Sequence, residues 1–393
     1  MIKEALFRGL SIHRRQFFLI FFLIFNSITW FFTILFSIVW EEPRLWLLPA
    51  ATVVSFLIGP LIAAKVSRMR FLLLWVLLGV ISSLFSAVLP EFGEHGVAIL
   101  LVLLGFSFGI GFPSCLALIP TLTRIEERGR VGGVIFFLTY ALLPLFILTI
   151  GDLDISSSSL PLAVWRGLGL LLFFLKVDLG APPKPVSYSS IVPSRRFLLY
   201  FIPWLIFCLI NYLEQPILEQ SLGTDFLETS INIEFSVGSL VCLISGWIMD
   251  FKGRRWTILI GFVALGLGYA ALSFSPSLSV AQGFLIVVDS IAWGIFTVAF
   301  SFVIWGDMAN NRRAEKFYGL GIAPYLLAIG LAVFASPWLE ILDLGKALPL
   351  AAFFLFLAVI PIFFAPETLP EKVLKEREIK KYVEEAKKVA GRP

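Results

Sequence analysis

Four ionisable residues stand inside otherwise apolar runs of this chain: Arg166, Glu214, Glu234 and Asp289. If those runs lie in lipid, each charge costs several kcal/mol and marks a functional candidate, such as a proton carrier or a contact for a solute. Asp289 leads the list. It falls mid-run, and Trp293 and Thr297 follow at i+4 and i+8 on nearly the same helical face. Glu214 and Glu234 fall near run ends, so they are proton-carrier candidates or else carboxylates reaching water at a membrane rim. Uncharged polar groups form two further stripes: Asn26, Trp30 and Thr33, with Thr29 and Ser37 alongside, and Trp204, Cys208, Asn211 and Gln215 at i, i+4, i+7 and i+11. Such stripes either line a cavity or hydrogen-bond between helices, at about 0.6–2 kcal/mol per contact. Ser107 and Tyr325 join the cavity candidates, whereas Arg166, within AVWRGLG, reads as structural.

Other chemistries find little support. Both histidines, His13 and His95, lie outside the apolar runs, and neither HExxH nor GxSxG occurs. No phosphate-binding loop is evident either, which argues against an ATP-driven pump. The expectation is therefore no catalytic residue, no metal and no cofactor. Cys115, Cys208 and Cys242 all fall in apolar runs and read as small buried hydrophobes, not a disulfide framework.

The elements that must position these residues follow from composition. The chain has 393 residues, 59% hydrophobic and 15% charged, against about 25% charged in soluble domains. Apolar runs of membrane-spanning length recur at roughly 17–40, 45–64, 71–90, 96–120, 131–151, 160–179, 197–216, 229–249, 256–275, 280–305, 317–339 and 347–365. The first is too long for a signal-peptide core and reads as a retained helix. Twelve spans put both termini on one side. Of the 31 lysines and arginines, all except Arg44, Arg166 and Lys346 fall on that side, so the termini are expected to be cytoplasmic. The 40 phenylalanines are expected mostly at the lipid face.

The fold class read from this pattern is an all-α polytopic membrane protein with twelve transmembrane helices in two pseudo-symmetric six-helix bundles. The expected divisions are 1–179 for the first bundle, 180–196 for a Pro- and Ser-rich cytoplasmic connector, 197–366 for the second bundle and 367–393 for a cytoplasmic tail helix. Thr368 to Glu371 fits a capping box for that helix. The halves echo each other at an offset of 186, which pairs Gly319 with Gly133 and Lys316 with Arg130. The same offset carries Asp250 to Ala64 and Gly253 to Ser67. Transporters with such repeats hold their site near the midplane.

Residues 246–256 read GWIMDFKGRRW and supply the most specific motif. Gly246, Asp250, Gly253, Arg254 and Arg255 resemble the G-x-x-x-D-x-x-G-R-R loop between spans 8 and 9 of the major facilitator superfamily. APETLPE (365–371) resembles the Pro-Glu-Thr run after the last span of many members, and the basic loops after spans 4 and 10 match too. GFSFGIG (105–111) resembles a fourth-span pattern with Gly105 where many members have arginine. The Gly-Pro signature of drug/proton antiporters in span 5 and the Pro-Glu-Ser-Pro-Arg run of sugar porters are missing, so no subfamily follows. The resemblance implies that Asp250 meets the start of span 5, where RVGGV (130–134) offers two glycines for close approach. With Ala64 in place of the first-half acid, it implies one such latch and not two. It also implies that the stripes of spans 1, 7 and 10 line a central cavity.

The function expected is secondary active transport of a small organic solute by alternating access, with protons as the candidate coupling ion. The alternatives are a transporter-like scaffold or receptor without flux, and an efflux pump for apolar compounds. The expected partners are the small-molecule solute, the lipid bilayer and protons, with no nucleic acid. The chain is expected to be a monomer in the cell (plasma) membrane.

Overall fold

In lipid every backbone polar group must be paired within the protein, which leaves a chain of this composition only helices or a closed barrel. The computed structural model describes residues 10–180 and 183–370, together with Ile379 and Val383, and is helical throughout with no strand among the described residues. Among the described residues ten helices are long and apolar enough to cross a membrane, and two shorter apolar ones join them. In chain order they are α1 (Arg14–Ile38), α2 (Leu47–Ala63), α3 (Arg68–Phe85), α4 (Leu89–Leu122), α5 (Arg128–Ile150) and α6 (Ser159–Leu175). The second six are α7 (Arg195–Leu222), α8 (Thr224–Lys252), α9 (Arg254–Phe274), α10 (Ser279–Ala309), α11 (Glu315–Leu339) and α12 (Leu344–Phe364). α1 begins and α12 ends on one face, called here the terminal face. There Ser11 bonds Glu127 of the α4–α5 loop, and the Ala365 carbonyl accepts from Arg255 at the α8–α9 turn.

Departures from the expected spans have local causes. α6 stops at Leu175, but its last seven residues, Gly169–Leu175, form a tighter 3-10 helix that rises about 2.0 Å per residue in place of 1.5. The short helix thus still covers the distance. α7 runs on to Leu222, and α8 starts at Thr224 after a single glycine, Gly223, with φ +92°. The residues between the two expected runs are polar and mostly exposed, including Glu219, Asp225 and Glu228, yet they remain helical. Hydropathy ends there; the helix does not. Widened π-type turns interrupt α1 at Ile34–Ile38, α8 at Glu234–Gly238 and α10 at Ala299–Val303. Such turns redirect side chains and recur at functional sites.

Across the middle of the molecule α5 packs along α8, and α2 along α11. The connector is more than a loose strap. The Lys184 carbonyl accepts from Arg313 N at 2.8 Å, and the Tyr188 hydroxyl donates to Leu57 O at 2.8 Å. Lys316 lies over the Tyr188 ring at 4.8 Å, and burial pushes the phenol up from its ordinary value, so it stays a neutral donor. The connector therefore docks on α2 and on the start of α11, where sequence composition suggested only a solvated segment. The tail-helix expectation lies almost wholly outside the described residues. Thr368, its proposed cap, donates instead to Asp307 at 2.9 Å. The three cysteines are buried and free.

Candidate functional site

A cavity of about 70 Å³ lies between the two groups of six helices, room for roughly five waters at 10–15 Å³ each. Each group supplies seven of its 14 lining residues. The first supplies mainly phenylalanine rings, Phe32, Phe56, Phe108, Phe112 and Phe136, and the second Trp204, Trp293, Thr297, Ser301 and Tyr325. These five of the 40 phenylalanines face the cavity and not lipid. Nine of the 14 lining residues are aromatic, so the space favours an apolar or aromatic solute body.

Of the residues singled out in the sequence, Trp293 and Tyr325 line this space. Asn211 backs them, its Oδ1 accepting from Trp293 Nε1 at 3.2 Å. Thr297 meets the Tyr140 hydroxyl of the other half at 3.2 Å. Tyr212, Trp293 and Tyr325 stand nearly perpendicular to one another, with centroids 5.4 to 6.1 Å apart. Asp289 lies one turn before Trp293 on α10, and its Oδ1 is buried without a partner among the described residues. Glu214 is buried, with Oε2 also unpartnered. Glu214 is thus enclosed by protein and not spread into solvent. Glu234 is half-buried and lies ten residues beyond the start of α8, deeper than the sequence reading placed it, because α8 begins earlier than its apolar run. Asn211, one turn before Glu214, bonds Trp293, one turn after Asp289, and the turn that Glu234 opens packs against α10, so the packing of α7, α8 and α10 brings the three carboxyl-bearing segments together.

Several expected cavity residues face elsewhere. Asn26 donates to the Trp165 carbonyl at 2.6 Å and accepts from Arg166 Nη1 at 2.9 Å. The Trp30 indole donates to Ser83 at 2.8 Å, and the Ser107 hydroxyl meets Ser82 at 2.9 Å. Thr33 is buried but lines no part of the cavity, and neither does Gln215, at the interruption of α7. The α1 stripe thus turns toward α3 and α6, where it solvates the fully buried Arg166. That guanidinium also stacks over Trp75 at 4.3 Å. The residues of α1 that line the cavity are Ile28 and Phe32. Polar spacing marked the right helix but the wrong side of it.

The charged motif builds a second site on the terminal face. Asp250 Oδ1 accepts from Gly129 N, and Oδ2 from Arg130 N, both at 2.9 Å; these are the second and third residues of α5. Arg130 Nε and Arg254 Nη1 each lie 3.1 Å from the same carboxylate. A carboxylate at a helix N-terminus gains about 0.3–2 kcal/mol from the exposed N–H groups and the dipole. The close crossing needs glycine. A Cβ on Gly246 would sit 2.1 Å from Gly129 O, and one on Gly133 would sit 2.4 Å from Cys242 O. Of the two glycines expected to permit the approach, Gly133 does so; Gly132 faces Phe302, and Gly129 takes its place.

The network extends to residues that the sequence reading missed. Asp307 accepts from Arg128 at 2.7 Å across the halves, and from Arg254 at 3.2 Å within its own. Glu367, in the Pro-Glu-Thr run, caps the start of α9 by accepting from Arg254 N and Arg255 N at 3.0 and 3.1 Å. The turn before it is Gly253, whose φ of +108° suits glycine. Asp307 could have been suspected from sequence as an acid beside a basic loop.

A second contact between the halves, which the sequence reading did not anticipate, accompanies the Asp250 contact. Arg68, the first residue of α3, pairs with Glu315, the first residue of α11, at 2.6 Å, and donates to Thr121 at 2.7 Å. The offset of 186 carries Arg68 onto Arg254, Thr121 onto Asp307 and Glu315 onto Gly129. The first half therefore keeps the contact with its charges rearranged. The acid missing at Ala64 stands instead on the helix being met.

Neither a protein-family model nor a curated protein sequence matches the chain. Solved structures do. A human organic anion transporter matches with a TM-score of 0.68 at 14% identity, covering 89% of this chain and 99% of its own. The E. coli fucose:proton symporter gives 0.68 at 11%, covering 89% and 98%. A bacterial homologue of the iron transporter ferroportin, in an outward-facing state, gives 0.67 at 15%, covering 90% and 99%. With twelve helices in two halves about a central cavity, and transporters of that superfamily matching over nearly their full lengths, the chain has the major facilitator superfamily fold.

Proposed function

We infer that the protein is a secondary transporter that moves a small, largely apolar organic solute by alternating access. The observation that carries this reading is the aromatic cavity, lined equally by both halves and sealed toward the terminal face by contacts that run between the halves. Units 1–179 and 197–366 would rock about the cavity, with 180–196 tethering them. The terminal face is cytoplasmic, by its excess of lysine and arginine, in the cell membrane. Asp289 is the proton site, with Glu214 and Glu234 as neighbours able to share the proton. The fucose:proton symporter of the same fold supports a proton as coupling ion. The reading of a scaffold without flux drew on the missing first-half acid and on Gly105 in place of the fourth-span arginine; the Arg68–Glu315 pair speaks against the first of these grounds.

Uptake and counterflow into proteoliposomes across a panel of apolar organic solutes, with and without a pH gradient, test this reading. Solute accumulation driven by the gradient is expected. Asp289→Asn should reduce accumulation at least tenfold while sparing counterflow of an uncharged member of the panel. An unchanged pH dependence in that variant removes Asp289 from the role, and no flux of any solute sinks transport itself.

A further inference from the structure

Three carboxyl groups of the second half, Glu214, Glu234 and Asp289, interrupt its apolar runs away from the charged terminal face. Among the described residues none of Glu214, Glu234 and Asp289 forms an ion pair. The basic residue within the spans of the first half, Arg166, is enclosed by Trp30 and Trp75 and bonded to Asn26 and Ser27. Asp289 Oδ1, one turn from the cavity-lining Trp293, is buried without a partner among the described residues, and two more buried polar groups share that state. Glu214 is only 8% exposed, and its Oε2 has no partner. Trp204, 2% exposed, lines the cavity with an unpartnered indole N–H. Trp293, one turn after Asp289, stands nearly perpendicular to Tyr212 and to the cavity-lining Tyr325, and the π-type turn that Glu234 opens packs against α10, where a Cβ on Gly238 would lie 3.4 Å from the carbonyl of Ser290, the residue after Asp289.

We propose that the solute is an organic cation, a protonated amine bearing a compact aromatic or apolar body. The body lies against the phenylalanine wall, and the ammonium turns toward Asp289 and Glu234 through the aromatic trio. Aromatic faces attract cations, and most strongly where water is excluded. A carboxylate supplies the counter-charge that a cation needs away from water. An anion would meet three acids, and a neutral solute would gain nothing from them. The proposal shares its cavity with the transport reading, but its test does not depend on flux.

The full-length protein in detergent is titrated at pH 7 with 2-phenylethylammonium, 2-phenylethanol and phenylacetate, which share one skeleton and differ in charge. Quenching of tryptophan fluorescence reports occupancy, because Trp204 and Trp293 line the cavity. The ammonium is expected to bind at least tenfold more tightly than the alcohol, and phenylacetate to show no saturable binding. Asp289→Asn combined with Glu234→Gln should weaken the ammonium at least tenfold and shift the alcohol less than twofold. Equal or tighter binding of the alcohol or phenylacetate, no saturable binding of the ammonium, or full ammonium affinity in the double variant overturns the proposal. If that variant does not fold, the comparison of the three solutes on the unaltered protein still decides. Ammonium binding without flux supports this proposal while sinking transport; flux of a neutral solute without ammonium binding does the reverse.

Discussion

Asp250 concentrates four donors on one carboxylate: two backbone N–H groups of α5 and two guanidinium groups. Its exposure is nil, as is that of Arg254, so neither charge can fall back on water when its partner is lost. Removing one member of a buried pair costs about 3–5 kcal/mol, and a factor of ten needs about 1.4. Asp250→Asn should therefore populate the state open at the terminal face. Ser301 lines the cavity on α10, and the native cysteines are buried. A Ser301→Cys reporter, treated with a membrane-impermeant maleimide on the terminal-face side, should label at least tenfold faster when Asp250→Asn is added. An unchanged rate would count against the latch. The same scale shows where residue-type reasoning stopped. Asp289 and Asp250 drew attention because acids are rare in apolar surroundings, whereas Asp307 escaped notice inside a loop already rich in charge.

At the scale of elements, helices α5 and α8 can place Asp250 on the α5 N-terminus only because their backbones nearly touch. Gly129, Gly133 and Gly246 line that contact. Adding a single methyl at Gly246 would put it 2.1 Å from a backbone oxygen, which no rotamer change can relieve. Gly246→Ala should then separate the helices, break the Asp250 contacts and raise labelling of the Ser301→Cys reporter as Asp250→Asn does. Gly283→Ala, where an added Cβ meets nothing within 4 Å, is expected to leave labelling unchanged. Equal labelling in both glycine variants would show that the crossing tolerates the methyl and that close packing is not what holds the latch. Most of the helix pattern was legible from hydropathy. Helix ends were not, because a polar helix such as the end of α7 carries no apolar run.

The whole molecule adds pseudosymmetry as a constraint. Contacts at equivalent places link α8 to α5 and α3 to α11, but with the charges rearranged. Arg68→Glu and Glu315→Arg should each speed labelling of the Ser301→Cys reporter several-fold, and the double swap should recover most of the original rate. Coupled residues in one buried pair interact by about 0.5–3 kcal/mol, which sets the size of that rescue. Failure of the double swap to recover any closure would reduce the pair to a local contact.

The sequence alone determined the membrane class and the twelve helices, and it pointed to a side for the termini and to Asp250 as the acid that meets the start of α5. Each follows from properties read along the chain: apolar length, basic-residue bias and a compact motif. It also singled out Asp289, Trp293 and Tyr325. Tertiary structure decided what spacing cannot express. Period 3.6 names a polar face but not its neighbour, so the α1 stripe went to Arg166 and not to the cavity. Only the folded packing brought together the three helices that carry Glu214, Glu234 and Asp289, turned five phenylalanines inward and paired Arg68 with a residue 247 positions away.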